Sequence, residues 1–140
     1  MSYLDWFISH GKKHKKIVEK LANLSDDEII DYFCFENMVK NEPEFCPLYA
    51  KNQKCHDMEN LNCYLCACPY FRFDDNGLEI KDRKTIKSIC SINAKDSSFI
   101  IHENIIHLNC SFCLLPHKKS FIKKYFSRDW FEIMKKVKQF

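Results

Sequence analysis

Apolar and polar positions follow three different rhythms along this chain. Ile17, Leu21 and Leu24 recur at helical spacing after the basic run Lys12-Lys13-His14-Lys15-Lys16, which predicts a short amphipathic helix over about 12–24. An aromatic segment, Tyr3-Leu4-Asp5-Trp6-Phe7-Ile8, precedes it. Ser25 followed by Asp26, Asp27 and Glu28 has the form of an N-cap with a capping box. Ile30, Phe33, Cys34 and Met38 give this second helix one apolar face, and it should stop before Pro43. Over 73–108 the helical period is lost. Asp74-Asp75-Asn76-Gly77 reads as a turn, Ile86, Ile89 and Ile92 flank Cys90, and Phe99-Ile100-Ile101 and Ile105-Ile106 surround Glu103-Asn104 as a hairpin. At the end, Ile122, Phe126, Trp130, Ile133, Val137 and Phe140 return at spacings of 4, 4, 3, 4 and 3, which predicts one long amphipathic helix.

Between these segments, residues 44–72 have no period and are dense in cysteine and aromatic residues. They read as loops built around metal-binding knuckles. The expected fold is therefore a small α+β protein. An irregular metal-knuckle core with short strands is flanked by N-terminal helices and a long C-terminal amphipathic helix. A single domain over 1–140 would comprise an N-terminal helical flank (1–43), a cysteine-rich core (44–120) and the C-terminal helix (121–140).

Composition narrows the functional classes. Of 140 residues, 46% are hydrophobic and 14% aromatic, enough apolar surface for a packed core. Only two glycines are present, Gly11 and Gly77, so no glycine-rich phosphate loop exists. No run of apolar residues is long enough for a transmembrane helix, and the N-terminus lacks the pattern of a signal peptide. The expectation is a cytoplasmic protein with no membrane partner. The net charge of +3 is uneven: 118–140 holds eight Lys or Arg against Asp129 and Glu132. Only this tail offers a basic surface for a protein or nucleic-acid partner, and its plain reading is a solvated helix face.

Nine cysteines change the picture most. The count is odd and the expected compartment is reducing, so metal ligation is favoured over a disulfide framework. Cys63-Tyr64-Leu65-Cys66-Ala67-Cys68-Pro69 and Cys110-Ser111-Phe112-Cys113-Leu114-Leu115-Pro116-His117 each contain a Cys-x-x-Cys knuckle, whose two intervening residues let the chain turn both sulfurs onto one ion. With Cys46, Cys55, His56 and Cys90, the candidate ligands are Cys46, Cys55, His56, Cys63, Cys66, Cys68, Cys90, Cys110, Cys113 and His117. Ten donors exceed one tetrahedral site and slightly exceed two. Cys68 lies one residue beyond Cys66, so sending it to a different metal avoids a strained chain. Two zinc ions in close proximity are expected. Cys34 reads as a buried small hydrophobe, and His10, His14, His102 and His107 as ordinary surface or edge residues.

Residues 46–120 resemble the cysteine-rich small domain family of bacteria and archaea. The resemblance is carried by Cys55-His56, by Asn62-Cys63-Tyr64-Leu65-Cys66-Ala67-Cys68-Pro69-Tyr70 and by Asn109-Cys110-Ser111-Phe112-Cys113-Leu114-Leu115-Pro116-His117-Lys118. It implies a zinc-finger-like, metal-binding domain and no particular activity. The chain departs from the family pattern at Lys54, where a proline is usual, in the distance of Cys46 from Cys55, and at Cys90-Ser91-Ile92, where glycines are usual.

The leading functional expectation is a zinc protein whose two Cys/His sites have a structural role. An iron–sulfur cluster is the alternative cofactor, because Cys63-x-x-Cys66-x-Cys68-Pro69 is loosely similar to ferredoxin runs. A metal-dependent enzyme is a further alternative, but no catalytic residue can be named and no His-Glu-x-x-His or deaminase pattern is present. A zinc-scaffolded adaptor for protein or nucleic acid is the last.

Overall fold

The computed structural model describes residues 2–138. Helix α1 spans Tyr3–Lys20, and its N-cap is Ser2, whose hydroxyl accepts from the Asp5 amide while Asp5 reaches back to the Ser2 amide. The helix thus starts well before residue 12, and the aromatic segment forms its first turns. Its buried positions are Phe7, His10, Gly11, His14, Ile17 and Val18. Both histidines belong to the core, at 5% and 0% exposure, and not to the surface.

The Ser25 capping box is present and opens α2, Asp26–Tyr32. The helix does not continue to Pro43. It breaks at Phe33–Cys34, because this stretch pairs with the knuckle strand instead: Cys63 N donates to Phe33 O at 2.9 Å and Phe35 N to Leu61 O at 3.0 Å. Helix α3, Phe35–Asn41, then restarts from a half-buried Cys34 at its N-cap. A 3₁₀ turn follows at Pro47–Lys51.

The strands are short: β1 Phe71–Phe73, β2 Glu79–Lys81, β3 Lys84–Ile86, β4 Ser88–Cys90, β5 Ser98–His102 and β6 Ile105–Asn109. β1 and β4 form an antiparallel pair with Phe71 opposite Cys90. The other four form a sheet in the order β2-β3-β6-β5, in which β5 and β6 are the expected hairpin and β3 runs parallel to β6. This sheet ends β6 at Asn109, directly before Cys110.

The long C-terminal helix is not formed. The segment makes two short helices, α4 Lys119–Tyr125 and α5 Trp130–Ile133. Phe126 is extended, at φ −60° and ψ 131°. Arg128 holds the break open by donating to the carbonyls of Ala22 and Leu24 and to Asp26. The Tyr64 hydroxyl donates to Ser127 O at 2.6 Å, and Asp129 caps α5 through the Phe131 amide. The apolar spacing survives because both short helices point into one core, where Ile122, Trp130, Met134 and Val137 are buried. Phe140, the last residue of the expected stripe, lies outside the described residues. Several tail cations face carboxylates: Lys119 meets Asp31 at 2.7 Å, Lys123 meets Asp27 at 3.3 Å and Lys138 meets Asp74 at 3.2 Å. Much of the tail's basic charge is matched within the fold. Among the described residues, no helix is long and apolar enough to cross a membrane.

Candidate metal centre

Both Cys-x-x-Cys knuckles are opened by the same local device. Asn62 Oδ1 accepts from the Tyr64 amide at 2.9 Å, and Asn109 Oδ1 accepts from the Ser111 amide at 3.0 Å. Each asparagine side chain thereby bends the chain two residues ahead and aims the intervening cysteine. Asn62 is also an anchor, because its amide nitrogen donates to Ile30 O at 2.7 Å from a nearly buried position. An asparagine before each knuckle was visible in the sequence, but nothing there separated it from an ordinary polar residue.

The closest convergence of donors is Cys55, His56 and His117, whose ligand atoms all lie within 4.8 Å of one another. His117 Nδ1 lies 2.8 Å from Asn62 O. A carbonyl can only accept, so Nδ1 carries the hydrogen and Nε2 keeps a lone pair. That lone pair faces the Cys55 sulfur at 3.8 Å. His56 is fixed in the opposite tautomer: Nε2 donates to Cys110 O at 2.9 Å and Nδ1 faces Cys55 Sγ at 3.1 Å. Two imidazole lone pairs therefore point toward one sulfur. A single S–H can satisfy only one of them, whereas a cation satisfies all three donors. A histidine held by a carbonyl on one nitrogen and free on the other is the usual form of a metal ligand. Burial lowers His117 to about 4, so it is neutral and ready to ligate at neutral pH.

The remaining cysteines fall into two neighbourhoods. Cys66 is raised well above an ordinary thiol, first by the adjoining Cys63 and by burial, then by the charges of Cys55 and Cys46. Cys55 is exposed at the surface, and partial desolvation of its sulfur, followed by Cys63 and Cys46, pushes it up to about 11. Burial and Cys63 likewise raise Cys46, although the amides of Leu48 and Tyr49 pull the other way. Cys63 is the exception: its thiolate is favoured by the Cys66 thiol and then by the Tyr49 hydroxyl. In the other neighbourhood, burial and then Cys90 and Cys113 bear on Cys68, pushed up to about 11. Burial, Cys113, Cys68 and Cys90 do the same to Cys110. Clustered thiols that oppose each other's ionisation require a cation before they can all become thiolates.

The boundary between the neighbourhoods is the tripeptide Cys66-Ala67-Cys68. Ala67 and Cys68 have φ of 88° and 52°, both in the left-handed region. The chain reverses there at a cost of about 1–3 kcal/mol per residue, which turns Cys68 away from its predecessor. Two aromatic residues that sequence reasoning passed over close this region. Tyr3, at the start of α1, lies near Cys110, Cys66 and Cys68, and burial, followed by those sulfurs, raises its phenol. The Tyr49 hydroxyl is buried without a hydrogen-bond partner of good geometry and sits against Cys63. Cys34 lies outside both neighbourhoods. His102 is exposed on the β5–β6 hairpin and His107 is exposed on β6.

No family model matches the chain, and neither a curated protein nor a solved structure matches it.

Proposed function

We propose that the chain is a metal-binding protein in which two adjoining Cys/His centres have a structural role. The first centre draws its donors from Cys46, Cys55, Cys63, Cys66 and His117, with His56 beside them. The second draws on Cys68, Cys90, Cys110 and Cys113. The observation that carries the reading is the pair of oppositely fixed histidine tautomers aimed at Cys55. Zinc suits the first donor set, since it takes thiolate and imidazole in a tetrahedron without redox demands. A reducing, cytoplasmic location would keep these thiols free for metal.

Metal would contribute folding energy directly, because the loops that carry the donors between Cys46 and His117 would be tied at two points. Chelation under denaturing conditions should release the metal, and the stripped chain should melt at a much lower temperature. Retention of the full melting temperature without metal would sink the proposal. His117→Gln should weaken zinc binding by about 10-fold or more while Cys34→Ser leaves it unchanged.

A further inference from the structure

We infer that the second centre, Cys68, Cys90, Cys110 and Cys113, takes a polynuclear iron–sulfur cluster and not a single zinc ion. The inference rests on the two-centre reading above and names the chemistry of one of its sites. All four cysteines line one cavity of about 250 Å³. Four thiolates on one zinc, each about 2.3 Å from the metal, stand about 3.8 Å apart and leave no space between them. This cavity has room for several waters, given about 30 Å³ for each in the liquid. Its sulfurs also form no compact ligand group: among the described residues, the group with all ligand atoms within 4.8 Å is Cys55, His56 and His117. His56 and His117 also line this cavity, so the compact Cys55–His56–His117 group borders it. The four cysteines are spread around a volume.

A cluster fits the second arrangement because its cysteines bind different irons around an inorganic sulfide core, so their sulfurs stand farther apart than on one ion. The rest of the wall is largely carbon, including Tyr3, Phe71, Leu108 and Pro116. Such a wall keeps water from the sulfides, and amide donors to the thiolates offset the cluster's charge. The Ala94 amide donates to Cys90 Sγ at 3.4 Å, and the Tyr70 and Phe71 amides favour the Cys68 thiolate. The strained Ala67–Cys68 reversal brings Cys68 to this cavity, while Cys66 does not line it. Ligation replaces four S–H bonds by four Fe–S bonds and releases four protons to solvent. Ferric iron and sulfide come from the medium, and the added thiol reduces any iron that ends ferrous, itself passing to the disulfide.

The test is anaerobic isolation followed by measurement of zinc, iron and acid-labile sulfide. Stripped protein is then reconstituted with ferric iron, sulfide and a thiol reductant. The expected result is about two to four irons with matching sulfide beside about one zinc, and a broad visible absorption bleached by dithionite. Cys90→Ser and Cys113→Ser should lose iron and sulfide but keep zinc, and Cys63→Ser should lose zinc but keep the visible band. Should a variant fail to fold, the reconstituted wild type still decides the matter. About two zinc ions and no sulfide, before and after reconstitution, overturn the cluster and leave the two-centre reading standing. No tightly held metal under any condition overturns that reading and the cluster with it.

Discussion

Cys66 and Cys68 are separated by Ala67 alone, yet their sulfurs belong to different neighbourhoods. Cys66 adjoins Cys63, Cys55 and Cys46, whereas Cys68 adjoins Cys90 and Cys113. The reversal is made by two consecutive residues at positive φ, neither of them glycine. The Ala67 methyl is disfavoured at this φ, although it packs against the edge of the core. Ala67→Gly should therefore raise the stability of the metal-loaded protein by up to about 1 kcal/mol, the relief of strain being partly offset by the freer unfolded chain. Denaturant unfolding of the loaded protein checks this, with metal content expected to stay unchanged. A loss of stability would mean that Ala67 is not strained.

The Tyr49 hydroxyl is buried without a hydrogen-bond partner of good geometry and lies against the Cys63 sulfur. Donation to a metal-bound thiolate spreads its charge and orients it. Tyr49→Phe keeps the ring that packs on Phe35 and Phe45. The variant should fold normally but bind the first-centre metal about 10-fold more weakly. Competition with a chromophoric chelator measures the change, and an unaltered affinity would remove Tyr49 from the centre.

How far the molecule was legible beforehand depends on which interactions decide each part. The knuckles and the Ser25 capping box are local devices, and both were readable at their own positions. The expectation that Cys66 and Cys68 serve different metals drew on local geometry alone, and the turn at Ala67–Cys68 bears on it without deciding the ligation. The break at Phe126–Asp129 was not readable. Its apolar period is the same for one helix or two, and Arg128 holds it open through α2 and its approach, more than 100 residues earlier in the chain. The start of α1 was missed because its inner stripe runs through His10, Gly11 and His14, which do not register as apolar. Tyr3 and Tyr49 could not be assigned to the sulfurs from spacing, since tertiary packing alone brings them there.

His10 and His14 give a pH dependence with a definite sign. Burial, chiefly, lowers His10 to about 4 and His14 to about 3. Each ring is neutral when folded, whereas in the unfolded chain it takes a proton near pH 6.5. Their stabilising contribution is thus complete above about pH 6.5, is lost progressively as pH falls toward the folded values, and levels off below them. His10→Phe retains a ring beside Trp6 and Phe45 and removes one titration. The fall in melting temperature between about pH 7 and pH 5 should be smaller in this variant than in the wild type. Comparing the two falls cancels the metal's own pH dependence, and identical falls would mean that His10 is not buried in the neutral form.

Gly11 fixes how closely α1 and α5 approach. A Cβ there would lie 2.3 Å and 2.6 Å from ring atoms of Phe131 and 2.8 Å from the Trp130 ring. Trp130 is 1% exposed and packs between Phe7, His10 and His14, so its ring has no free direction in which to retreat. Alanine improves helix propensity by about 1 kcal/mol, but overpacking a core contact costs about 1–3 kcal/mol. The steric term should win, and Gly11→Ala should lower stability by up to about 2 kcal/mol. Denaturant unfolding reads the sign directly. A gain would show that α5 can shift outward at no cost, and that its contact with α1 does not set the packing of the core.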